Sequence, residues 1–482
     1  MGKLQNLKPE RVFYYFEKLT QIPRCSYKEK GVSDYLKSIG EELGYETIQD
    51  ELNNIIIRKP ATPGYENSEG IIIQGHMDMV CEKEDDIDHD FDKDPLEIII
   101  DGDFIHANKT TLGADNGIAV AMSLAILEDK NLEHPMLEIL ITTSEETEMD
   151  GALGLSKDVL KGTRLLNVDS EEEGELVTGS AGGELIQAGI EIEYEEISGY
   201  TEVTVEVKGL MGGHSGMEID KPRGNSNKII NELLKKLKED LDIKLISILG
   251  GTKDNAIPRQ SVASIGVRSD DLSKFDEKIE KIKTNIINKY KSEEGEIEIV
   301  VGKKDLVSKL LTDKVFKAIM ELLENIPTGV YTNIPHKKEI VESSSNLAII
   351  KMDDKEIQIQ VSTRSSVASI LVELREKISK LIAMNDGKVS ISGHYPEWEF
   401  KEESNLRETA LGLYKKMFNE EMKATVIHAG LECGVFAEKY PGLDIISFGP
   451  NMYDVHTPKE KLSISSTKKT YEYLVELLKE LK

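Results

Sequence analysis

The stretch Ile71-Ile72-Ile73-Gln74-Gly75-His76-Met77-Asp78 decides how this chain folds. Three successive β-branched residues make a strand without a wet face, and runs of that kind belong to sheets covered by helices on both sides. The strand ends on two residues suited to a metal site, His76 and Asp78. The pattern recurs along the chain: the apolar run 137–144 delivers Glu145 and Glu146, the run 164–168 delivers Asp169, and 444–448 leads into the loop ending at His456. Ligands at the carboxyl ends of strands are where sites in open α/β sheets are built.

Working outward, residues 10–20 and 28–43 read as helices and 54–58 as a further strand, while the small, apolar segment 117–127 reads as a buried helix. From about Tyr200 the texture changes. Residues 201–207 alternate polar and apolar, as a strand with one wet face does. Residues 227–237 and 275–287 are amphipathic helices, the second with Phe275, Ile279, Ile282 and Ile286 at helical spacing. A helix, a strand pair through 255–268, a helix and the strand 296–301 recur as 315–324, 346–364, 367–382 and 388–392, which predicts two similar α+β half-modules. After Trp398 the first texture returns with the helix 408–418 and the strands 424–427 and 444–448. The expected organisation is an α/β domain of residues 1–190 and 400–482, its mixed, mainly parallel sheet flanked by helices, with an inserted α+β domain at 191–399.

With 482 residues the chain exceeds one ordinary core, so two domains are expected on length alone. Sixty Lys and Arg stand against 88 Asp and Glu, a formal charge of -28. Such acidity repels phosphate backbones and anionic lipid, so neither nucleic acid nor membrane is expected as a partner. Cys25, Cys81 and Cys433 are scattered and form no CxxC pattern, which predicts no disulfide framework and a reducing compartment. The first ten residues lack an apolar signal core, so a cytoplasmic location is expected.

Two histidines among several carboxylates suit zinc, and the oxygen-rich balance suits two ions sharing a bridging carboxylate. Cobalt and manganese tolerate similar ligands. Residues at i and i+2 of extended chain point to one side, so Asp78 is placed to hydrogen-bond the far nitrogen of His76. Glu145 and Glu146 are adjacent and diverge, so one can bind metal while the other faces the metal-bound water. Asp115 lies in Gly113-Ala114-Asp115-Asn116-Gly117 before a helix, and on local evidence Asp115 or Asn116 is a helix cap.

The runs GHMDMVCEK around His76, TLGADNG around Asp115, TSEETEMDGALGL around Glu145, NVDSEEEGE around Asp169, GGHSG around His214 and HAGLECG around His428, with the late His456, resemble the aminoacyl-histidine dipeptidases. These belong to the wider group of two-zinc amino- and carboxypeptidases, and the likeness in order and spacing spans essentially the whole chain. The resemblance implies a zinc-peptidase domain with a lid and two Zn2+ per chain. Asp115 would bridge the ions, His76 and Asp169 completing one and Glu146 and His456 the other. Glu145 would be the general base, Asp78 would orient His76, and His214 would reach the substrate's carbonyl oxygen or carboxylate, in many relatives across a dimer interface. A homodimer through the lid is therefore an expectation. Asn255, Arg364 and Glu432 are candidates for contacts to the dipeptide's termini.

After GGHSG the chain reads Met217-Glu218-Ile219-Asp220-Lys221-Pro222, where relatives usually carry a histidine near Asp220, so no preference for a C-terminal histidine follows. His428 is left outside the catalytic set. His89, His106, His134, His336 and His394 read as surface or ordinary core residues. Two other functions fit the sequence: hydrolysis of N-acyl amino acids or small amides on the same centre, and a binding or scaffold protein with a dead site. No ligand is missing, which weighs against the second.

Overall fold

A computed structural model of the chain describes residues 2–335 and 337–482, so His336 lies outside the described residues. Two compact units emerge, the first comprising the chain up to Ser180 with Phe400–Val426 and Leu431–Lys482, the second Ala181–Glu399 with Ile427–Gly430.

Unit 1 is built on an eight-stranded sheet. Its centre is parallel: Ile71–His76 lies between Leu137–Thr142 and Arg164–Asn167, and Asp444–Ser447 pairs with the latter. Every residue of Ile71–His76 and of Leu137–Thr142 is buried, as expected for strands covered on both faces. Ile55–Lys59 and Glu46–Gln49 add antiparallel strands on one side, and Glu175–Ser180 runs antiparallel to Asp444–Ser447 on the other. The helix Ala114–Glu128 is apolar on all sides and buried almost throughout, packing against the sheet and Glu10–Leu19.

Unit 2 holds a nine-stranded sheet. Its neighbouring strands run, in order, Glu298–Leu311, Tyr194–Lys208, Ser261–Arg268, Ile243–Gly250, Lys337–Met352, Glu356–Ser365, Gly182–Glu191 and Lys388–Tyr395, with Gly329–Ile334 beside Lys337–Met352. The order mirrors itself about the Gly250 to Ile350 junction, and each half follows helix, strand, strand, helix, strand in sequence. The expected strand pair at 255–268 is displaced. Its first strand is Ile243–Gly250, and only Ala256–Ile257 of the 255–260 segment is extended, in a separate two-stranded ladder. Pro258 cannot donate to a central ladder, which accounts for the shift. Gly182–Glu191 pairs along its length with Glu356–Ser365, so the chain enters unit 2 before the expected boundary near 190.

The cysteine reading is corrected. Cys25 and Cys81 are joined in a disulfide with Cα atoms 5.8 Å apart, and Cys433 is free and buried. Spacing alone hid the pair because the fold brings together segments 56 residues apart, through a parallel bridge between Cys25 and Met79. Among the described residues no helix is long and apolar enough to cross a membrane.

Candidate metal centre

His76 is the last residue of the central strand, level with Thr142 on its neighbour. A methyl group at Gly75 would sit 2.3 Å from Asn116 Oδ1, so only glycine lets the start of the 114–128 helix close over the strand end. That helix start is irregular. Gly113 takes φ +67, Asp115 has the non-helical pair φ -78, ψ 107, and no side chain caps the helix. Neither Asp115 nor Asn116 is the cap that local sequence favours. Asn116 Nδ2 donates to Val168 O at 2.8 Å, and the Asp115 carboxylate turns to the strand ends.

There its two oxygens face two histidines. Asp115 Oδ1 lies 3.1 Å from His76 Nε2, and Oδ2 lies 3.1 Å from His456 Nε2. Asp169 Oδ1 is 3.5 Å from His76 Nε2, and Glu146 Oε2 is 2.8 Å from His456 Nε2. Glu145 Oε2 stands farther off, 3.8 Å from His76 Nε2. Ligand atoms of His76, Asp115 and Glu146 all lie within 4.8 Å of one another, a spacing suited to a metal ion. Asp169 Oδ1 and Glu146 Oε1 are buried without a hydrogen-bond partner. Buried, unsatisfied carboxylate oxygens beside imidazole nitrogens are the donor set a hard or borderline divalent cation takes.

Electrostatics point the same way. Burial first, then neighbouring charge, pushes Glu146 up to about 7 and Asp169 up to about 6, and Glu145 rises well above the usual carboxylate range. On His456 burial opposes the charged form, but Asp115 and Glu146 outweigh it and push the ring up to about 11. His76 is raised too, against burial, by Asp169, Asp115 and Asp78. Protons and imidazolium charge offset an excess of anions here, the work of cations when these are bound.

A supporting layer holds the groups. Asp78 Oδ1 lies 3.3 Å from His76 Nδ1, within ion-pair range but without sound hydrogen-bond alignment. Both its oxygens also accept backbone N–H groups, from Glu145 at 3.1 Å and Glu146 at 3.2 Å, and Ser26 Oγ donates at 2.8 Å. Glu460, 2 % exposed, accepts the N–H groups of Leu112, Gly113 and Ala114 at 2.7, 3.0 and 2.7 Å and so pins the Asp115 loop. Arg24, equally buried, donates to the carbonyls of Met77, Asp78 and Gly113. Sequence reasoning missed both, and no local pattern marks either.

Glu432, expected among the substrate contacts, is fully buried. Its Oε2 accepts from Gln74 Nε2 at 2.6 Å and Thr142 Oγ1 at 2.7 Å, and burial pushes its carboxyl up to about 8. In unit 2, Nδ1 of His214 accepts from the N–H groups of Gly216 and Met217, both at 3.1 Å, so in the neutral ring the proton sits on Nε2. Asn255 is exposed, and its carbonyl accepts from Ser215 N at 2.9 Å. Arg364 Nη1 donates to Tyr395 Oη at 2.7 Å while its Nε is buried and unsatisfied. His428, set aside from the sequence, is buried with Nε2 2.7 Å from Ser344 Oγ and Nδ1 without a partner. Burial first, then Arg364 and His214, pushes it down to about 3.

Residues 72–480 match the family described as Peptidase family M20/M25/M40. This chain belongs to that family. The cytosol non-specific dipeptidase of Escherichia coli K12 is 37% identical to this peptidase over 485 residues, covering 100% of this chain and 99% of the relative. The crystal structure of aminoacylhistidine dipeptidase from Vibrio alginolyticus superposes with a TM-score of 0.90 at 33% identity, over 99% of this chain and 97% of that one. Aminopeptidase PepT from Bacillus cereus shares the fold at 16% identity, with a TM-score of 0.58 over 98% of this chain and 99% of that one. In this peptidase, therefore, the strand-end cluster is the part whose chemistry has to be explained.

Proposed function

We propose that this chain is a metallodipeptidase that hydrolyses unblocked dipeptides at a centre for two divalent cations, zinc in the first instance. One observation carries the reading: the two oxygens of the Asp115 carboxylate each face a different histidine at 3.1 Å, as a carboxylate bridging two ions requires. His76, Asp115 and Asp169 would hold one cation, and Asp115, Glu146 and His456 the other. The dipeptidase relatives support the substrate class.

Bound there, such cations supply Lewis acidity and bring the pKa of water down to about 7. The rest falls to side chains. Glu145 stands 3.8 Å from His76 Nε2, farther than Asp115 or Asp169, and burial raises it well above the usual carboxylate range, the environment of a base that accepts a proton readily. It takes a proton from the attacking water as the oxygen bonds to the peptide carbon, and delivers it to the departing amine as the C–N bond breaks. Asp78 positions, through the N–H groups of Glu145 and Glu146, the base and its neighbour together. The resemblance in the sequence gives His214 the carbonyl oxygen as charge develops on it, a task an Nε2–H suits, and Arg364 and Asn255 are the candidates for the substrate's carboxylate.

The cytosolic location follows the name of the Escherichia coli relative. The homodimer through unit 2 rests on the resemblance in the sequence, and light scattering on purified protein decides it.

The test is Glu145→Gln in zinc-loaded protein. It should keep two ions per chain while turnover of a broad dipeptide panel drops by about 10²- to 10⁴-fold, the size of a general-base contribution. Loss of metal from the variant would contradict the role given to Glu145. Wild-type protein that cleaves only N-acylated substrates would replace the dipeptidase reading with the amide-hydrolase one.

A further inference from the structure

Where the strand Leu137–Thr142 ends, the N–H groups of the next four residues are each taken by a side chain from elsewhere in the sequence. Thr143 N donates to Asn54 Oδ1 at 3.1 Å, Ser144 N to Glu29 Oε1 at 3.0 Å, and Glu145 and Glu146 to Asp78. All three acceptors are buried. The turn they hold is one the chain resists, because Ser144 takes φ +57, a left-handed conformation that a residue with a β-carbon keeps only where its surroundings impose it. Its hydroxyl donates to the same Glu29 oxygen at 3.0 Å. Glu29 Oε1 also accepts the N–H of Tyr27 at 2.9 Å. One buried oxygen thus ties the Ser144 turn to the loop whose Arg24 and Ser26 brace Met77 and Asp78.

Glu145 and Glu146 both leave this turn, but they depend on it unequally. Glu146 Oε2 is 2.8 Å from His456 Nε2, and on the proposed function a bound cation would fix that carboxylate at its far end. Glu145 Oε2, at 3.8 Å from His76 Nε2, is beyond hydrogen-bond distance. A base that is no ligand takes its position from its backbone. Asp78 serves both residues alike, whereas Ser144 sets the direction in which the chain leaves the strand.

We propose that Glu29 is a positioning residue for the general base: by holding Ser144 in its left-handed turn it aims the Glu145 carboxylate at the reacting centre. The inference rests on Glu145 being the base. A purely structural role would confine Glu29 to the start of the helix Lys30–Glu42, where its carbonyl accepts from Ser33 N at 2.9 Å, a bond that side-chain variants keep.

The experiment compares Glu29→Gln and Glu29→Asp with wild type, alone and combined with Glu145→Gln, all zinc-loaded and full length, on Ala-Ala. Gln keeps an oxygen where Oε1 stands, while Asp keeps the charge and draws the oxygens back by one methylene. Glu29→Asp should lower kcat about 10- to 100-fold, the cost of a group misplaced by about 1 Å, with KM and zinc content unchanged. Glu29→Gln should stay within roughly fivefold of wild type. Added to Glu145→Gln, Glu29→Asp should cost nothing further, because the group it positions is already gone. Ser144→Ala, which removes one of the two bonds from Ser144 to Glu29, should repeat the pattern at roughly 2- to 10-fold and decides the matter should Glu29→Asp not fold. A loss in Glu29→Gln as large as in Glu29→Asp would assign the effect to charge. Multiplied losses in the double variant, or zinc lost from Glu29→Asp, would make Glu29 a support of the whole centre, and an unaltered kcat with a lowered unfolding midpoint would make it a brace of the fold. Each of these overturns the assignment. Full turnover in Glu145→Gln alone would instead sink the base reading, and this inference with it.

Discussion

Two clusters, one in each unit, bury charge in opposite senses. In unit 1 the strand ends crowd carboxylates together, so Glu146 and Asp169 are pushed up toward neutrality and His456 up to about 11. In unit 2 the buried groups of interest are imidazole and guanidinium: His428 is pushed down to about 3, and Arg364 keeps an unsatisfied Nε. Carboxylates outnumber cationic groups in the first cluster, and among the described residues no carboxylate hydrogen-bonds Arg364 or His428 in the second. On the proposed function, a cation pair would answer the first excess, and the carboxylate of a peptide would suit the second.

The severest way to break this contrast is Asp115→Ala. It removes both oxygens that face the histidines, so metal content should fall to one ion per chain or fewer and dipeptide turnover should become undetectable. Elemental analysis beside the activity assay checks it, and a variant with two ions and measurable turnover would show that Asp115 is no bridge. Chelation of wild-type protein should lower its thermal midpoint as well, because bound cations stabilise the folded state by mass action.

How much of unit 1 was legible follows from the range of its interactions. Ile71–His76 and Leu137–Thr142 announce themselves because a parallel strand covered on both faces is apolar without interruption, and the ligand follows where the run stops. Asp115 misleads locally, since an Asp before a helix reads the same whether it caps the helix or faces His76. Arg24 and Glu460 carry no signal at all. They reach backbone groups 53 to 89 and 345 to 348 residues away, and a backbone carbonyl or N–H leaves no mark in the sequence of its partner. In unit 2 the repeat was visible as alternating patterns, but its first strand was not, because Ile243–Gly250 contains Lys244, buried there by pairing with Glu195 and Asp313.

The disulfide gives the next largest effect. Cys25 lies between Arg24 and Ser26, both of which hold the segment from Met77 to Asp78, and Cys81 lies just beyond that segment. Chain entropy for a loop of this length corresponds to at most about 4 kcal/mol. Cys25→Ser, or reductant on wild type, should therefore lower stability in denaturant titration toward that bound. Equal unfolding midpoints with and without reductant, with thiol counting to confirm cleavage, would leave the bond without a stabilising role.

Glu460→Gln is gentler. It keeps the shape but replaces the charged acceptor of four N–H groups, so the Asp115 loop should stay folded while metal affinity drops about 10- to 100-fold, as for other groups that orient ligands. Competition with a chromogenic chelator measures it. Unaltered affinity would assign Glu460 to loop stability alone.

The smallest effect tests unit 2. His428 is buried neutral beside Arg364, with its folded pKa lowered from the ordinary value to about 3. Between those two values the unfolded chain binds a proton that the folded chain does not, so stability is complete above the ordinary histidine range and declines as the pH falls toward about 3. The loss is about 1 kcal/mol by roughly one pH unit below that range. His428→Gln, which retains a polar group opposite Ser344 but cannot titrate, should flatten this acid limb while leaving the limb set by the carboxylates of unit 1. Denaturant titrations of both proteins across the acid range decide it. Parallel curves would mean that His428 is protonated in the folded state, and the opposition between the two clusters would then fail at the buried imidazole of unit 2.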